Sequence, residues 1–129
     1  MTVKTSKLTG AALDWAVAKS EGRTVETRLS GLGGAQRFAV FLNQRWVRGA
    51  ERWDQYAPST NWAQGGPIIE REKMWVSWVE SNYKHIDGCW SAHVRSRICY
   101  GPTPLIAAMR CFVASRLGDE VDIPEELMA

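Results

Sequence analysis

The sequence lacks the features that mark several classes of protein. Its 129 residues contain no run of about 18 apolar residues, so no segment has the character of a transmembrane helix. The opening stretch MTVKTSKLTG has no apolar signal core, and the three cysteines include no CxxC pair. These absences argue against a membrane protein, a secreted protein and a disulfide scaffold. They predict a cytoplasmic protein with reduced thiols.

The chain also has little that would build a metal or catalytic site. His85, Cys89, His93 and Cys99 have the spacing H-x3-C-x3-H-x5-C, but ligands four residues apart would need a helix. The intervening Asp87-Gly88 pair is a hairpin signal that would break that helix. No Ser-His-Asp or Cys-His arrangement is evident from spacing. We therefore predict no metal, no cofactor and no enzymatic activity.

Length and composition predict one small domain over residues 1–129, since 45% of the residues are hydrophobic. The net charge of +2 conceals an acidic tail at 119–129, which is either partly ordered or disordered. The rest of the chain is basic, and eleven of its 16 basic residues are arginine; the chain also has seven tryptophans. This composition suits flat anionic ligands such as nucleotides or single-stranded nucleic acid. Alternatively, tryptophan fills the core and arginine lies in solvent.

Two segments have clear helix signals. The first helix is predicted over Leu8–Glu21, with Thr9 as its N-cap and an interior of apolar or small side chains. Gly101–Gly118 begins at the N-cap Thr103 and ends at Gly118. The amides at the N-terminus of this second helix could bind an anion.

One face of the C-terminal helix, formed by Ala107, Cys111 and Ala114, carries no charge. We therefore predict that it is covered, either by another element or by a second copy in a homo-oligomer. Asp14 is the only charge in the middle of the first helix. It either has a buried partner or lies at an exposed edge.

The remaining patterns favour strands. Arg23–Leu29, Met74–Glu80 and Cys89–Tyr100 alternate in the manner of strands, the last as one or two. Arg37–Arg48 is predicted to be a hairpin with its turn at Asn43-Gln44, although a helix also fits its pattern. The predicted fold class is α+β: an antiparallel sheet of about four to six strands with an N-terminal and a C-terminal helix packed on it.

The Tyr56–Glu72 segment, YAPSTNWAQGGPIIERE, is predicted to be a ligand-binding loop. It is expected to form one helical turn, capped by Ser59 or Thr60 and stopped by two glycines and Pro67. An aromatic ring would stack on a base, carboxamides would bind base or ribose edges, and arginine would neutralise phosphate. The alternative is a connector whose Trp62 packs in the core. The candidate ligand-binding residues are Tyr56, Ser59, Asn61, Trp62, Gln64, Gly65, Gly66, Arg71, Thr103 and Arg110.

Three motifs resemble the phage NinX family. They are YAPSTNWAQGGPIIE at residues 56–70, GPTPLIAAMR at residues 101–110 and LTGAALDWAVA at residues 8–18. The Gly31–Trp53 segment has no such likeness. The resemblance implies a phage or prophage origin and expression in a bacterial cytoplasm, and it implies no particular reaction.

These observations lead to three hypotheses. The first is a non-enzymatic protein that sequesters a nucleotide-derived host immune signal as a homo-oligomer. The second is a nucleic-acid-binding accessory factor in phage replication or recombination, using the basic segment Arg37–Arg52. The third is an inhibitor of a host protein, with Trp46 and Trp53 as anchors.

Overall fold

The computed structural model of the protein describes residues 1–30, 37–47, 50–80 and 89–128. The helices in these ranges are α1 (Gly10–Ser20), α2 (Trp62–Arg71) and α3 (Pro104–Leu117). The strands are β1 (Thr2–Lys4), β2 (Val25–Ser30), β3 (Arg37–Val47), β4 (Ala50–Gln55), β5 (Trp75–Val79), β6 (Cys89–Val94), β7 (Arg97–Gly101) and β8 (Glu120–Asp122). Single 3-10 turns occupy Thr5–Lys7 and Glu125–Leu127. No helix in the described part of the chain is long and apolar enough to cross a membrane.

The strands form three antiparallel sheets, which confirms the α+β class. One sheet pairs β1 with β8, a second has the order β2-β3-β4, and a third has the order β5-β6-β7. The sequence predicted one sheet, whereas the structure divides the strands among three. Strands that follow one another in sequence form the second and third sheets, and α2 lies between these two groups of strands, whereas the first sheet joins the two ends of the chain.

Helix α3 is the centre of the core. Its predicted signals are confirmed: the Thr103 hydroxyl accepts a hydrogen bond from the Ile106 amide at 3.1 Å, and Gly118 ends the helix at a φ of 90°. The side chains buried along it are Leu105, Ala107, Ala108, Met109, Cys111, Phe112, Val113 and Ala114. Strands β6 and β7 pack on one side of α3, and α1 packs on another.

The uncharged face of α3 is covered by the chain itself. Ala107 and Cys111 are fully buried, and the Cys111 thiol donates to the Ala92 carbonyl of β6 at 3.3 Å. The sequence left two possibilities for what covers this face, another element of the same chain or a second copy. The structure shows the first, with β6 over Cys111. A homo-oligomer would therefore need a different surface, because Ala107, Cys111 and Ala114 are not accessible to a second copy.

The hairpin predicted at Arg37–Arg48 is wrong. This stretch is one strand, β3, which pairs with β2 on one side and β4 on the other. At Asn43 the register with β4 shifts, so the expected turn is a β-bulge. The chain reverses further on, where Val47 pairs with Ala50.

Helix α2 replaces the single turn predicted at Asn61–Gln64. The N-cap is Asn61, whose side-chain oxygen accepts from the Ala63 amide at 2.9 Å, and the helix continues through both glycines and Pro67. Gly65 is required by close packing, because a Cβ there would lie 2.6 Å from Leu105 Cδ2 and even nearer the Pro58 carbonyl oxygen. The prediction failed because it treated glycine only as a helix breaker.

The acidic tail is ordered in the structure. Strand β8 pairs with β1, so that Val3 lies opposite Val121. Ile123 and Leu127 are buried in the core, which no sequence pattern had indicated. The two ends of the chain thus form one ribbon.

Gly65→Ala is expected to lower the free energy of unfolding by about 1–3 kcal/mol, since the new methyl group meets backbone that cannot move freely. Gly66→Ala is the matched control. The nearest atom to a Cβ at Gly66 is 4.0 Å away, so this change should be neutral or stabilise by about 0.4–1 kcal/mol. Denaturant unfolding of both variants checks the prediction, and equal stability of the two would contradict it.

Candidate functional site

Two side chains of the predicted ligand loop bind within the protein. The Tyr56 ring is buried, and its hydroxyl donates to Glu21 Oε1 at 2.5 Å. Gln64 accepts from the Ala57 amide at 2.6 Å and donates to the Gln55 carbonyl at 2.9 Å. These hydrogen bonds join the loop to α1 and β4, so they occupy the groups that were expected to contact a ligand.

Ser59 holds the loop to α1 through Asp14. The Ser59 amide donates to Asp14 Oδ1 at 2.9 Å, and Asp14 is 6% exposed. Burial raises the pKa of Asp14 to about 6, although the Ser59 hydroxyl and amide both act to lower it. The Ser59 hydroxyl itself is buried without a hydrogen bond of good geometry. Of the two alternatives for Asp14, the structure shows the buried one with a partner.

Arg71 belongs to an ionic network. Its guanidinium contacts Glu21 at 2.9 Å and Glu72 at 3.1 Å, while Glu72 also pairs with Arg116 at 3.0 Å. The hydrogen bond from Arg116 is the main reason that the pKa of Glu72 is lowered, and Arg71 adds to it. Both guanidinium groups lie over the buried Phe112 ring, at 5.7 and 5.3 Å. The network ties α1, α2 and α3 together.

The other predicted residues do not converge on one cavity. Trp62 is 57% exposed, so it does not pack in the core as the alternative proposed. Gly66 lies in the middle of α2 near the Trp62 ring, and Thr103 caps α3. The basic-aromatic segment Arg37–Arg52 has a described backbone, but the side chains of Arg45, Trp46, Arg52 and Trp53, and all of Arg48, lie outside the described residues.

A cleft of about 650 Å³ lies instead along the edge of β7, between that strand and the chain end formed by β1 and β8. Arg110 of α3 lines it, and this is the one residue of the predicted set that does so. The lining residues are Lys4, Thr5, Ser6, Cys89, Ile98, Cys99, Tyr100, Gly101, Pro102, Arg110, Ala114, Asp119 and Glu120. Cationic, hydroxyl, aromatic and carboxylate groups therefore share one depression.

Arg110 is fixed in the wall of this cleft by backbone carbonyls. Its Nε donates to Leu8 O at 2.8 Å and its Nη1 donates to Tyr100 O at 2.9 Å. Burial lowers the pKa of Arg110, which means that its charge is partly desolvated. It has no carboxylate partner among the described residues. Every other arginine with a described side chain has one: Arg23, Arg28, Arg71, Arg95, Arg97 and Arg116.

The Cys99 thiol also lies in the cleft. The pKa of Cys99 is lowered chiefly by a hydrogen bond from Cys111, and the guanidinium groups of Arg97 and Arg110 act in the same direction. The pKa of Cys111 is raised by that hydrogen bond and by burial. The Cys111 sulfur also lies 3.3 Å from the Ala92 carbonyl oxygen and 3.4 Å from the Arg97 carbonyl oxygen, so its single proton is shared among these acceptors. No group of side chains suited to hold a metal ion occurs among the residues that the structure describes.

Sequence reasoning missed most of the cleft. Lys4 and Ser6 precede the first helix and follow no motif, and Asp119 was assigned to a tail. Tyr100 was placed on a strand, but nothing in its alternation marked the strand as an edge. Only pairing of the two chain ends brings these residues opposite β7, and this long-range contact has no local signal.

The fold and the cleft define a small α+β protein with a polar ligand cleft beside a central helix. Residues 4–116 match the sequence model of the family described as Bacteriophage P22, NinX. The chain therefore belongs to the NinX family, and it is a phage accessory protein. The match continues through Gly31–Trp53, the segment that the three motifs left out. No match was found among curated proteins.

Asp14→Asn is expected to stabilise the protein at high pH and to change it little at low pH. Asp14 has a folded pKa of about 6 against an ordinary value of 3.8. The contribution of Asp14 to the free energy of unfolding is therefore fully present below about pH 4. It is lost as the pH rises through 6, and the loss is at most about 3 kcal/mol. Asparagine has no charge to desolvate and can still accept from the Ser59 amide. Denaturant unfolding at about pH 4.5 and about pH 8 measures the difference.

The exposed Glu125→Gln serves as a control for this pH series, since its carboxylate is in solvent. It should leave the pH dependence of stability unchanged. A stability difference between wild type and Asp14→Asn that is the same at both pH values would contradict the assignment of Asp14 as a buried ionising group.

Proposed function

We propose that this NinX-family protein is a non-enzymatic binding protein that sequesters a nucleotide-derived host immune signal in the cleft beside β7. The observation that carries the proposal is Arg110, a half-buried cation with no carboxylate partner in the described residues. A desolvated charge is normally paired, because its burial costs free energy that a counterion offsets. An anionic ligand would provide that counterion.

The position of Arg110 suits phosphate binding. Nε and one Nη1 hydrogen are held by the Leu8 and Tyr100 carbonyls, so the guanidinium plane is fixed before a ligand arrives. The remaining N–H donors can bind phosphate oxygens. Lys4, also in the lining, supplies a second positive charge. Preorganisation of this kind lowers the entropic cost of binding.

The other polar groups of the cleft suit the remainder of a nucleotide. Tyr100 is 46% exposed and offers a ring face for base stacking. Glu120 is exposed and can accept hydrogen bonds from ribose hydroxyls or exocyclic amines. Asp119 is ion-paired with Arg97, so its negative charge is offset. The cleft volume of about 650 Å³ lies within the range of small-molecule sites.

The ligand would bind in the cleft beside β7 and not at the Tyr56–Glu72 loop that the sequence predicted. Tyr56, Ser59, Gln64 and Arg71 hold the loop and the helices in place, and they support the core from which Arg110 projects. If the protein forms the homo-oligomer expected from the sequence, it does so through a surface other than the buried α3 face. Sequestration itself needs one cleft per chain.

The purified protein should bind a member of a panel of linear and cyclic nucleotides and ADP-ribose derivatives. Ligand at about 100 times its Kd stabilises by about 2.7 kcal/mol, which shifts the melting temperature by several degrees. Arg110→Gln should weaken binding about tenfold or more, since a charge-assisted contact is lost. Lys19→Gln removes an equal charge from α1, outside the cleft, and should bind as wild type does.

Two further measurements make this test decisive. The bound ligand should be recovered chemically intact, because sequestration involves no reaction, and it should slow alkylation of Cys99 by a maleimide. Failure of every nucleotide to stabilise the wild-type protein would exclude the proposal. Equal affinity of wild type and Arg110→Gln would exclude the cleft as the site.

A further inference from the structure

Helix α3 packs on one face of the sheet β5-β6-β7. We call the opposite face the open face: its outer strands expose large side chains, although Ser91 at its centre is buried. Cross-strand pairing places Trp75 opposite His93, and His93 opposite Ile98, in one row. The next row contains Ser77, Ser91 and Tyr100. These side chains alternate with Ala92 of β6, which is buried against α3, so they lie on the opposite face of the sheet.

This open face presents unusually large side chains to solvent. Trp75 is 72% exposed, and Ile98 is 52% exposed on the far strand. The Trp75 and His93 rings are stacked obliquely, with centroids 6.0 Å apart and planes inclined by 37°. Tyr100 is also exposed at the edge of the same face. Exposed aromatic groups gathered on one sheet face indicate a binding surface.

The polarity of the face favours nucleic acid over an apolar partner. Its middle row contains the hydroxyls of Ser77 and Ser91, 3.1 Å apart, where a protein interface usually has an apolar centre. No Asp or Glu lies in either row. The cations Lys73 and Arg95 flank the end of the sheet next to Trp75. Arg95 is exposed and is ion-paired with Glu72 at 3.6 Å. Within these two rows, therefore, no carboxylate repels a polyanion.

We propose that the open face of the β5-β6-β7 sheet binds single-stranded nucleic acid, with bases stacked on Trp75, His93 and Tyr100 and phosphates beside Lys73 and Arg95. Trp75 and Tyr100 lie two strands and one row apart, about 12 Å, which is enough to stack two or three bases. Stacking on aromatic rings tolerates any base, so the surface would bind with little sequence preference. This site shares Tyr100 with the cleft, but it does not use the Arg110 charge, so it does not depend on the nucleotide proposal.

The test is fluorescence anisotropy with labelled oligo(dT) and oligo(U) of about 12 nucleotides. Wild type should bind, and binding should weaken as salt rises from about 50 to 200 mM. Trp75→Ala should lose about tenfold or more in affinity, and Trp75→Phe should retain most of it, because phenylalanine still offers a ring. Lys73→Gln should reduce the salt dependence.

Trp62→Ala is the matched control, because Trp62 is similarly exposed but lies on α2. It should bind as wild type does, and thermal unfolding should show both tryptophan variants folded. Loss of strand binding in Arg110→Gln with retention in Trp75→Ala would place the strand in the cleft and overturn the proposal.

Three other outcomes would also overturn it. The first is that the wild-type protein binds neither oligo(dT) nor oligo(U) at low salt. Equal affinity for duplex and single strand is the second, since paired bases are not free to stack on side chains. The third is a dimer in light scattering that Trp75→Ala dissociates, without strand binding, because a second copy would then cover the face.

Discussion

The burial of helix α3 is the constraint on which the rest of the structure depends. A helix with apolar or small side chains on almost every side must be covered all round, and this chain does so with its own elements. Strands β6 and β7 cover one side, α1 covers another, and α2 approaches closely where Gly65 meets Leu105. The positions of the cleft and of the open sheet face follow, because both are the outer surfaces of elements that cover α3.

Arginine has two different uses in this molecule. Arg71 and Arg116 lie over the Phe112 ring and pair with Glu72, so they close one side of the core with charged groups. Their charges are offset within the protein, and their stems add apolar contact. Among the described residues Arg110 contacts carbonyl oxygens and no carboxylate, and this difference in partner is the reason for proposing that it binds an external anion. Amino-acid composition alone does not distinguish these two kinds of arginine.

The carboxylates likewise differ by environment. Glu72 is surrounded by guanidinium groups that lower its pKa, so it stabilises the fold when ionised. Asp14 is buried among apolar residues with a single amide as its firm partner, and its pKa is raised. The loop before α2 is therefore held to α1 by a contact whose strength depends on pH, whereas the network around Glu72 persists at neutral pH.

The sequence determined the features that depend on local chemistry. The Thr103 cap and Gly118 defined α3, and the apolar run before Gly22 defined α1, although the Thr9 side chain makes no capping hydrogen bond. Alternation defined β2, β5 and the paired strands β6 and β7. The charge-free face at Cys111 correctly indicated a covered helix. Three motifs also sufficed to indicate the NinX family. Each of these signals lies within a few residues of the structure that it specifies.

Tertiary structure decided the rest, because it depends on contacts between distant residues. Gly65 lies in a helix since Pro58 and Leu105 leave no room for a larger residue, a reason invisible in the local pattern. Tyr56 and Arg71 became structural because Glu21, at the end of α1, lies beside them. Pairing of β1 with β8 built the cleft around Arg110. The sequence could identify Arg110 as a candidate, but only the fold decided that no carboxylate in the described part of the chain pairs with it, because ion pairing depends on neighbours in space.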